Sequence, residues 1–458
     1  MAYRPAHSDG EGALKELVSK VREHMYLPDT TPLLVAMAAV VANRLPGPSV
    51  SLLVVGQASC GGTTVLQLVD EAPGVRQLNS LSSQALISGT SVKEKSKGAT
   101  GGFLYTLEKD GATVLIPDLT RVLAQDRTVL ADVMGMLRDV SDGKVVRPVG
   151  ADGGREITWE GKAGILSKCT DSYDRHQADL AEFGDRFLLY RWPDGGVVEN
   201  NGPGRRFRSR ASSMHAADKA IQGIGWSKSP IKEIAAAHAE MGALYAVDWN
   251  VPGGKSFITA KERGRLVAIA ELCAMSRISI QWDWGRKQII HVQRPEYSAR
   301  AGISLAKLFQ ALLGMDVERK RAWEVVRAIG MDSMPLLRSQ VIQACVYATK
   351  PKNRKGLGKR GVEIKEIAAG LGNGREGMVR AAVEELWVAG VIEAAGQPKP
   401  GSDVQVTVAK RNWTPASANG NGHHAPDRVG KDKDKGGRPA DLWRLSEEAM
   451  DVFEKGWL

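Results

Sequence analysis

The sequence predicts an open α/β core, then a helical region, a small helix-and-hairpin module and a polar tail. Three observations carry this expectation. Short β-rich runs at 51–55, 113–116 and 163–166 alternate with helical stretches, as parallel sheets covered by helices require. A Gly-rich turn joins the first run to its helix. From residue 333 onward, three helical periods precede two short strand patterns.

Composition fits that class. The chain has 458 residues, enough for two or three domains, and its 43% hydrophobic content can fill a core in each. A net charge of +10 favours a polyanionic partner, with nucleic acid first and an anionic membrane surface second. Cys60, Cys169, Cys273 and Cys345 are far apart and form no Cys-x-x-Cys pair, which argues against a zinc site or a disulfide framework and for a reducing compartment. No signal-peptide pattern opens the sequence. The longest apolar run, Leu33 to Val41, is far short of the ~20 residues that span a bilayer. A cytoplasmic protein without a membrane partner is expected.

Residues 12–26 have helical spacing, and Pro28 and Pro32 bracket a turn before an apolar helix at 32–44, which Pro46 and Pro48 end. Ser51 to Val55 reads as a strand, Gly56 to Gly62 as a turn, and Thr63 to Val69 as a helix. Val129 to Val140 reads as a helix between the second and third strands. Lys144–Arg147 and Arg155–Trp159, joined by Gly150 to Gly154, read as a hairpin.

Gly56-Gln-Ala-Ser59-Cys60-Gly61-Gly62-Thr63-Thr64 matches the phosphate-loop frame G-x-x-x-x-G-K-[ST] at every defined position but one. Its backbone N–H groups would wrap a phosphate, and the Thr63 hydroxyl would ligate Mg²⁺ at a helix start. Gly62 stands where a lysine should neutralise the β- and γ-phosphates, so weak nucleotide affinity is expected, with Gly62→Lys strengthening it. Val114 to Asp118 is an apolar strand ending in a carboxylate, as a Mg²⁺-holding Walker B strand must be. Leu119 follows, where a water-activating glutamate would be needed for fast hydrolysis.

From Tyr26 to Arg191, these motifs resemble a group of P-loop proteins from actinobacteria and their mobile elements and, more distantly, the minichromosome maintenance (MCM) branch of AAA+ helicases. The likeness covers roughly residues 20–330, with a winged helix after it. The resemblance implies an AAA+-like core binding ATP and Mg²⁺ at the interfaces of a homo-oligomeric ring. It makes Thr170 the sensing polar residue after the strand at 165–170. In Asp185-Arg186-Phe187 it makes Arg186 an arginine finger for a neighbouring subunit, and in the lid helix near 259–279 it makes Lys261 and Arg263 candidate γ-phosphate sensors. It also turns Lys144 and Arg147 of the hairpin towards DNA. A surface ion pair for Arg186 and a solvated face for the hairpin cations are the alternative readings.

Residues 333–410 match a winged helix-turn-helix pattern, with helices at 336–346, 362–368 and 378–388 and strands at 391–393 and 404–408. Arg375 and Arg380 beside the third helix, Lys399 on the wing, and Lys355, Lys359 and Arg360 of the basic run 350–360 are the expected DNA contacts. The expected division is an N-terminal helix and arm at 1–30, the P-loop core at 31–200, a helical lid at 201–330, the winged helix at 331–412, a disordered linker at 413–440 and a C-terminal helix at 441–458. Two functions fit. One is a DNA-associated ATPase or helicase in replication or mobile-element maintenance. The other is a catalytically inactive DNA-binding regulator or scaffold that keeps the fold.

Overall fold

The computed structural model of the chain describes residues 13–79, 81–88, 102–149, 155–182, 186–192, 258–283, 288–349, 361–371, 376–394 and 442–446, with positions 234, 285, 449 and 450 besides. In chain order the core comprises α1 (Ala13–His24), α2 (Thr31–Arg44), β1 (Ser51–Val55), α3 (Gly62–Gln67), β2 (Val75–Gln77), α4 (Ser83–Leu86), β3 (Asp110–Ile116), α5 (Thr120–Leu123) and α6 (Arg127–Asp142). It continues with β4 (Lys144–Val149), β5 (Arg155–Glu160), β6 (Lys162–Cys169), α7 (Tyr173–Glu182) and β7 (Phe187–Arg191). Then follow α8 (Ala260–Ser276), β8 (Ile280–Asp283), β9 (Gln288–Val292), α9 (Ala299–Gly314) and α10 (Arg319–Asp332). The C-terminal unit contains α11 (Leu336–Thr349), β10 (Val362–Glu363), α12 (Ile364–Leu371), α13 (Glu376–Val388), β11 (Ile392–Ala394) and β12 (Leu442–Leu445).

The core sheet is parallel throughout, in the order β2-β3-β6-β1-β7. Apart from the short edge strand β2, its strands are buried on both faces, which is why they read as nearly continuous apolar runs. Leu52, Val54, Leu115, Leu166 and Leu188 face α1, α2, α3, α9 and α10. Leu53, Val55, Val114, Ile165 and Leu189 face α6 and the side chains of Leu78, Leu86, Ile87, Leu104 and Leu107. Thr31 to Asn43 are all buried, because α2 lies between the sheet and α9 and is apolar around its whole circumference. Leu14, Leu17 and Val21 bury α1 in the same core.

Polar bonds fix how α2 sits. The Asn43 amide donates to Val50 O at 3.1 Å and to Thr113 Oγ1 at 3.1 Å, and accepts from Val50 N at 2.7 Å. At the other end, fully buried Arg321 donates to Thr31 Oγ1 at 2.7 Å and to Asp29 at 3.2 Å. Near the start of β6, Lys162 and Lys307 donate to the carbonyls of Leu45 and Pro48, and Lys307 is only 4% exposed. Burial, then the neighbouring Lys162 charge, pushes the Lys307 pKa down to about 7 from 10.5. Between those pH values the unfolded chain holds a proton that the folded chain has lost, so stability rises with pH across this window. Urea unfolding from pH 7 to 10 should show that rise, and Lys307→Met should flatten it; an equal slope in both proteins would contradict this.

Three parts differ from the sequence expectation. The 211–330 region, expected to be mostly helical, also holds an unforeseen antiparallel pair, Ile280–Asp283 with Gln288–Val292, among its described residues. Strand β2 was not anticipated at all; it has three residues and pairs with β3. Leu442–Leu445, expected to begin a C-terminal helix, is a strand between β10 and β11 and antiparallel to both. Bonding to two neighbours satisfies its backbone on both sides, which four residues of isolated helix cannot match. Ala449 and Met450 are helical, and the Ser446 side chain accepts from Ala449 N at 3.1 Å. The expected strand 404–408 and the tail 413–440 lie outside the described residues. Among the described residues, no helix is long and apolar enough to cross a membrane.

Candidate functional site

Parallel strands deliver their following loops to one edge of the sheet, and there the order β3-β6-β1 sets the geometry. After β1, Gly56 N donates to Cys169 O at 3.0 Å. After β3, Leu119 N donates to Lys168 O at 2.8 Å. The Gly-rich loop and the Asp118 turn are therefore tied to consecutive carbonyls at the end of the strand between them. Thr170 follows directly: its N–H donates to Thr120 Oγ1 at 3.1 Å, and its hydroxyl lies 2.8 Å from that of Ser172.

The loop is close-packed. A Cβ at Gly56 would lie 2.7 Å from Trp192 Cβ and 3.1 Å from Cys60 Sγ, so position 56 accepts only glycine without rearrangement. Gly61 has φ +95 and lies against the Met25 methyl, a conformation and a contact that both favour glycine. Ser59 is left-handed too, at φ 61. These values turn the chain sharply from β1 into α3, where Gly62 is buried, Thr63 exposed and Thr64 half-buried. Cys60 is half-buried and forms no disulfide among the described residues. Burial raises the Cys169 thiol pKa, which keeps it protonated and unreactive.

Asp118 is exposed, and one carboxylate oxygen accepts from Thr120 N at 2.8 Å. This bond fixes the carboxylate at the start of α5. A Thr63 hydroxyl and an Asp118 carboxylate, both exposed at the same sheet edge, are hard oxygen donors of the kind that suit Mg²⁺, which keeps several waters and needs few protein ligands. Among the described residues there is no His/Cys/Asp/Glu cluster that would hold a metal by itself. Leu119 is fully buried, so no side chain from this position reaches the site.

Arg186 lies at the opposite edge. It precedes β7, whose first residue pairs with Ser51 at the start of β1, so the length of the sheet separates it from its own Gly-rich loop. It pairs with Asp142 at 3.4 Å, and Arg300 pairs with the same carboxylate at 2.6 Å. Burial opposes the Asp142 charge, but the Arg300 hydrogen bond and the Arg186 charge outweigh it and hold the carboxyl below its usual range. Arg186, Arg277, Arg294, Arg300 and Tyr297 line a groove there.

The other expected residues are scattered. Lys261 and Arg263 are exposed on the first turn of α8, behind a capping box of Thr259 and Glu262, and no hydrogen bond links them to the Gly-rich loop. Lys144 pairs with Glu160 at 2.9 Å on an exposed face of the hairpin, and Arg147 donates to Ile87 O at 2.6 Å. The latter bond anchors the hairpin to the body. Arg380 is exposed and pairs with Glu376 at 3.5 Å on α13. Lys355, Lys359, Arg360, Arg375 and Lys399 lie outside the described residues.

One residue beside the loop had no part in the sequence expectation. Lys168, on β6, is 6% exposed, and its Cγ, Cδ and Cε each lie 3.3 Å from where a Cβ on Gly62 would sit. The signal was present in the sequence, since Lys168 follows the apolar run 163–166 within a strand buried on both faces.

Strand order and loop placement together define a parallel α/β protein with a strand–Gly-rich loop–helix unit at the C-terminal edge of its sheet. No protein-family model and no curated protein matches the chain. Among solved structures, it is similar to a full-length MCM homolog from Methanopyrus kandleri, at 12% identity and a TM-score of 0.33 over 70% of this chain and 58% of that one. It is also similar to a candidate ATPase from Cytophaga hutchinsonii, at 13% identity and a TM-score of 0.34 over 70% of this chain and 85% of that one. The chain thus spans less than two thirds of the MCM homolog's length. Overlaps this loose carry no weight beside the chain's own geometry.

Proposed function

We propose that the chain is an AAA+-like nucleotide-binding protein that works on DNA as a homo-oligomer. The observation that carries this reading is the pair of bonds Gly56 N to Cys169 O and Leu119 N to Lys168 O. They bring a phosphate-loop frame and a strand-end carboxylate together across one intervening strand. In this reading the backbone N–H groups of residues 59–64 wrap the phosphates, and Thr63 and Asp118 hold Mg²⁺. Magnesium would screen phosphate charge, and Thr170 would report phosphate occupancy to the Ser172 turn.

The position of Arg186 supports assembly. A side chain at the far edge of the sheet can serve a nucleotide only on another subunit, which requires a head-to-tail contact. The helices α11, α12 and α13, with the small sheet beside them, support a winged-helix reading of the C-terminal unit, and the basic run 350–360 supplies charge for a DNA backbone. Buried Leu119 favours the second reading, a nucleotide-responsive DNA-binding scaffold with little or no hydrolysis, because no base is placed to activate water.

One set of measurements on the full chain decides between them. Mg-ATP should bind in the micromolar range or weaker, Asp118→Ala should remove the Mg²⁺ dependence of binding, and sedimentation should show larger species with Mg-ATP than without. DNA-stimulated phosphate release that Asp118→Ala abolishes supports the ATPase, and binding without release supports the scaffold. No nucleotide binding under any condition overturns both.

A further inference from the structure

We propose that Lys168, reaching across from β6, supplies the phosphate-gripping cation that position 62 lacks. The proposal rests on the nucleotide-site reading above and names the residue that completes it.

Side chains alternate along a strand, so Lys168 shares its face with Leu166, two residues earlier. Its register partner on β1 is Val54. Leu166 and Val54 both belong to the core beneath α2 and α3. An apolar side chain would be the ordinary choice at that position. The lysine instead passes alongside Gly62, with three successive methylenes 3.3 Å from the point where a residue-62 side chain would begin. The ammonium is one bond further on, so it is held within a lysine's own length of the loop.

That ammonium takes no hydrogen bond or ion pair among the described residues, although Lys168 is only 6% exposed. With its stem enclosed and its ammonium unclaimed by any of those residues, the side chain is placed to pair with an anion bound in the loop. The loop's own N–H groups and the turn into α3 favour an anion in the same place. The two positions are also reciprocal in volume. Glycine at 62 leaves room for the Lys168 stem, whereas any side chain at 62 would press on it. The cation has in effect moved from the helix start to the adjacent strand, from which it reaches the β- and γ-phosphates of a nucleoside triphosphate.

The test is equilibrium binding of Mg-ATP to the full chain and to Lys168→Met, Gly62→Lys and the double variant, with melting temperature recorded for each. Lys168→Met should weaken Mg-ATP about tenfold to a hundredfold, the range for losing a charged hydrogen-bond partner. Gly62→Lys alone should gain little, because its stem meets that of Lys168. The double variant, which returns the cation to the helix start, should recover most of the lost affinity. Mg-ATP affinity unchanged in Lys168→Met overturns the proposal and leaves the nucleotide reading intact. The same holds if only the variants with lysine at 62 bind. Absence of binding in all four proteins overturns the nucleotide reading itself, and Lys168 with it. Should Lys168→Met melt early, Lys168→Gln takes its place, and undiminished binding by that variant overturns the proposal equally.

Discussion

Gly164→Ala should destabilise the protein by about 3 kcal/mol or more, a large effect for a single methyl group. Gly164 lies within β6, flanked by β3 and β1, and α2 passes directly over it. A Cβ there would fall inside the contact surfaces of both the Asn43 amide and the Val50 carbonyl. Neither can withdraw cheaply. The amide is held by its bonds to Val50 and Thr113, and the Val50 carbonyl is backbone. Moving β6 instead would break the ladders on both of its sides. Because Lys168 and Cys169 at the far end of this strand hold both loops, the site should loosen along with the sheet. The control is Gly135→Ala on α6, where nothing lies within 4 Å of an added Cβ; there alanine should stabilise by about 0.5–1 kcal/mol. Urea midpoints for the two variants should shift in opposite directions. Equal, small shifts would show that α2 does not approach the sheet as closely as described.

Arg191→Met should cost about 2–4 kcal/mol, somewhat below the range for breaking a fully buried ion pair, because both partners keep some exposure. Arg191 ends β7, and its guanidinium meets Asp174 through two bonds, at 2.9 and 2.7 Å. It also donates to the Asp332 carbonyl at 3.2 Å, and its backbone N–H donates to the Asp332 carboxylate at 2.8 Å. This one side chain ties the sheet to α7 and to the end of α10. Methionine fills much of the volume but leaves Asp174 facing Asp171, whose pKa burial and the Asp174 charge already raise. Arg191→Lys should cost less than Met but still more than a surface change, since an ammonium cannot reproduce the fork. Trp192 packs on Gly56, so the same substitutions should also weaken nucleotide binding. A Met variant that melts within a degree or two of the parent would remove this residue from the framework. A double-mutant cycle with Asp174→Asn should show a loss smaller than the sum of the two single losses.

Much of the core could be read from the chain because its signals are local. The run 51–55, the turn at 56–62, the strand at 113–116 and the paired strands at 144–147 and 155–159 each carry their period or turn residues within a dozen positions, and each forms where expected. Helix α6 is marked by Asp126, which accepts from Thr128 N and Val129 N, and is closed by left-handed Gly143. Glycines 56 and 61 gave the loop its recognisable frame, and their contacts with Trp192 and Met25 supply the steric reason for them.

What the sequence alone did not determine is where distant segments meet. Strand β2 has three residues and Leu442–Leu445 has four, too few to display a period, and each is a strand only because a neighbouring strand offers its bonds. Arg191, Asp174 and Asp332 are unremarkable charges until the fold brings them together. The same holds at the loop. The motif showed that Gly62 removes a cation, but only the parallel pairing of β6 with β1 places Lys168 beside the gap, because register between strands more than 100 residues apart is set by the core they share.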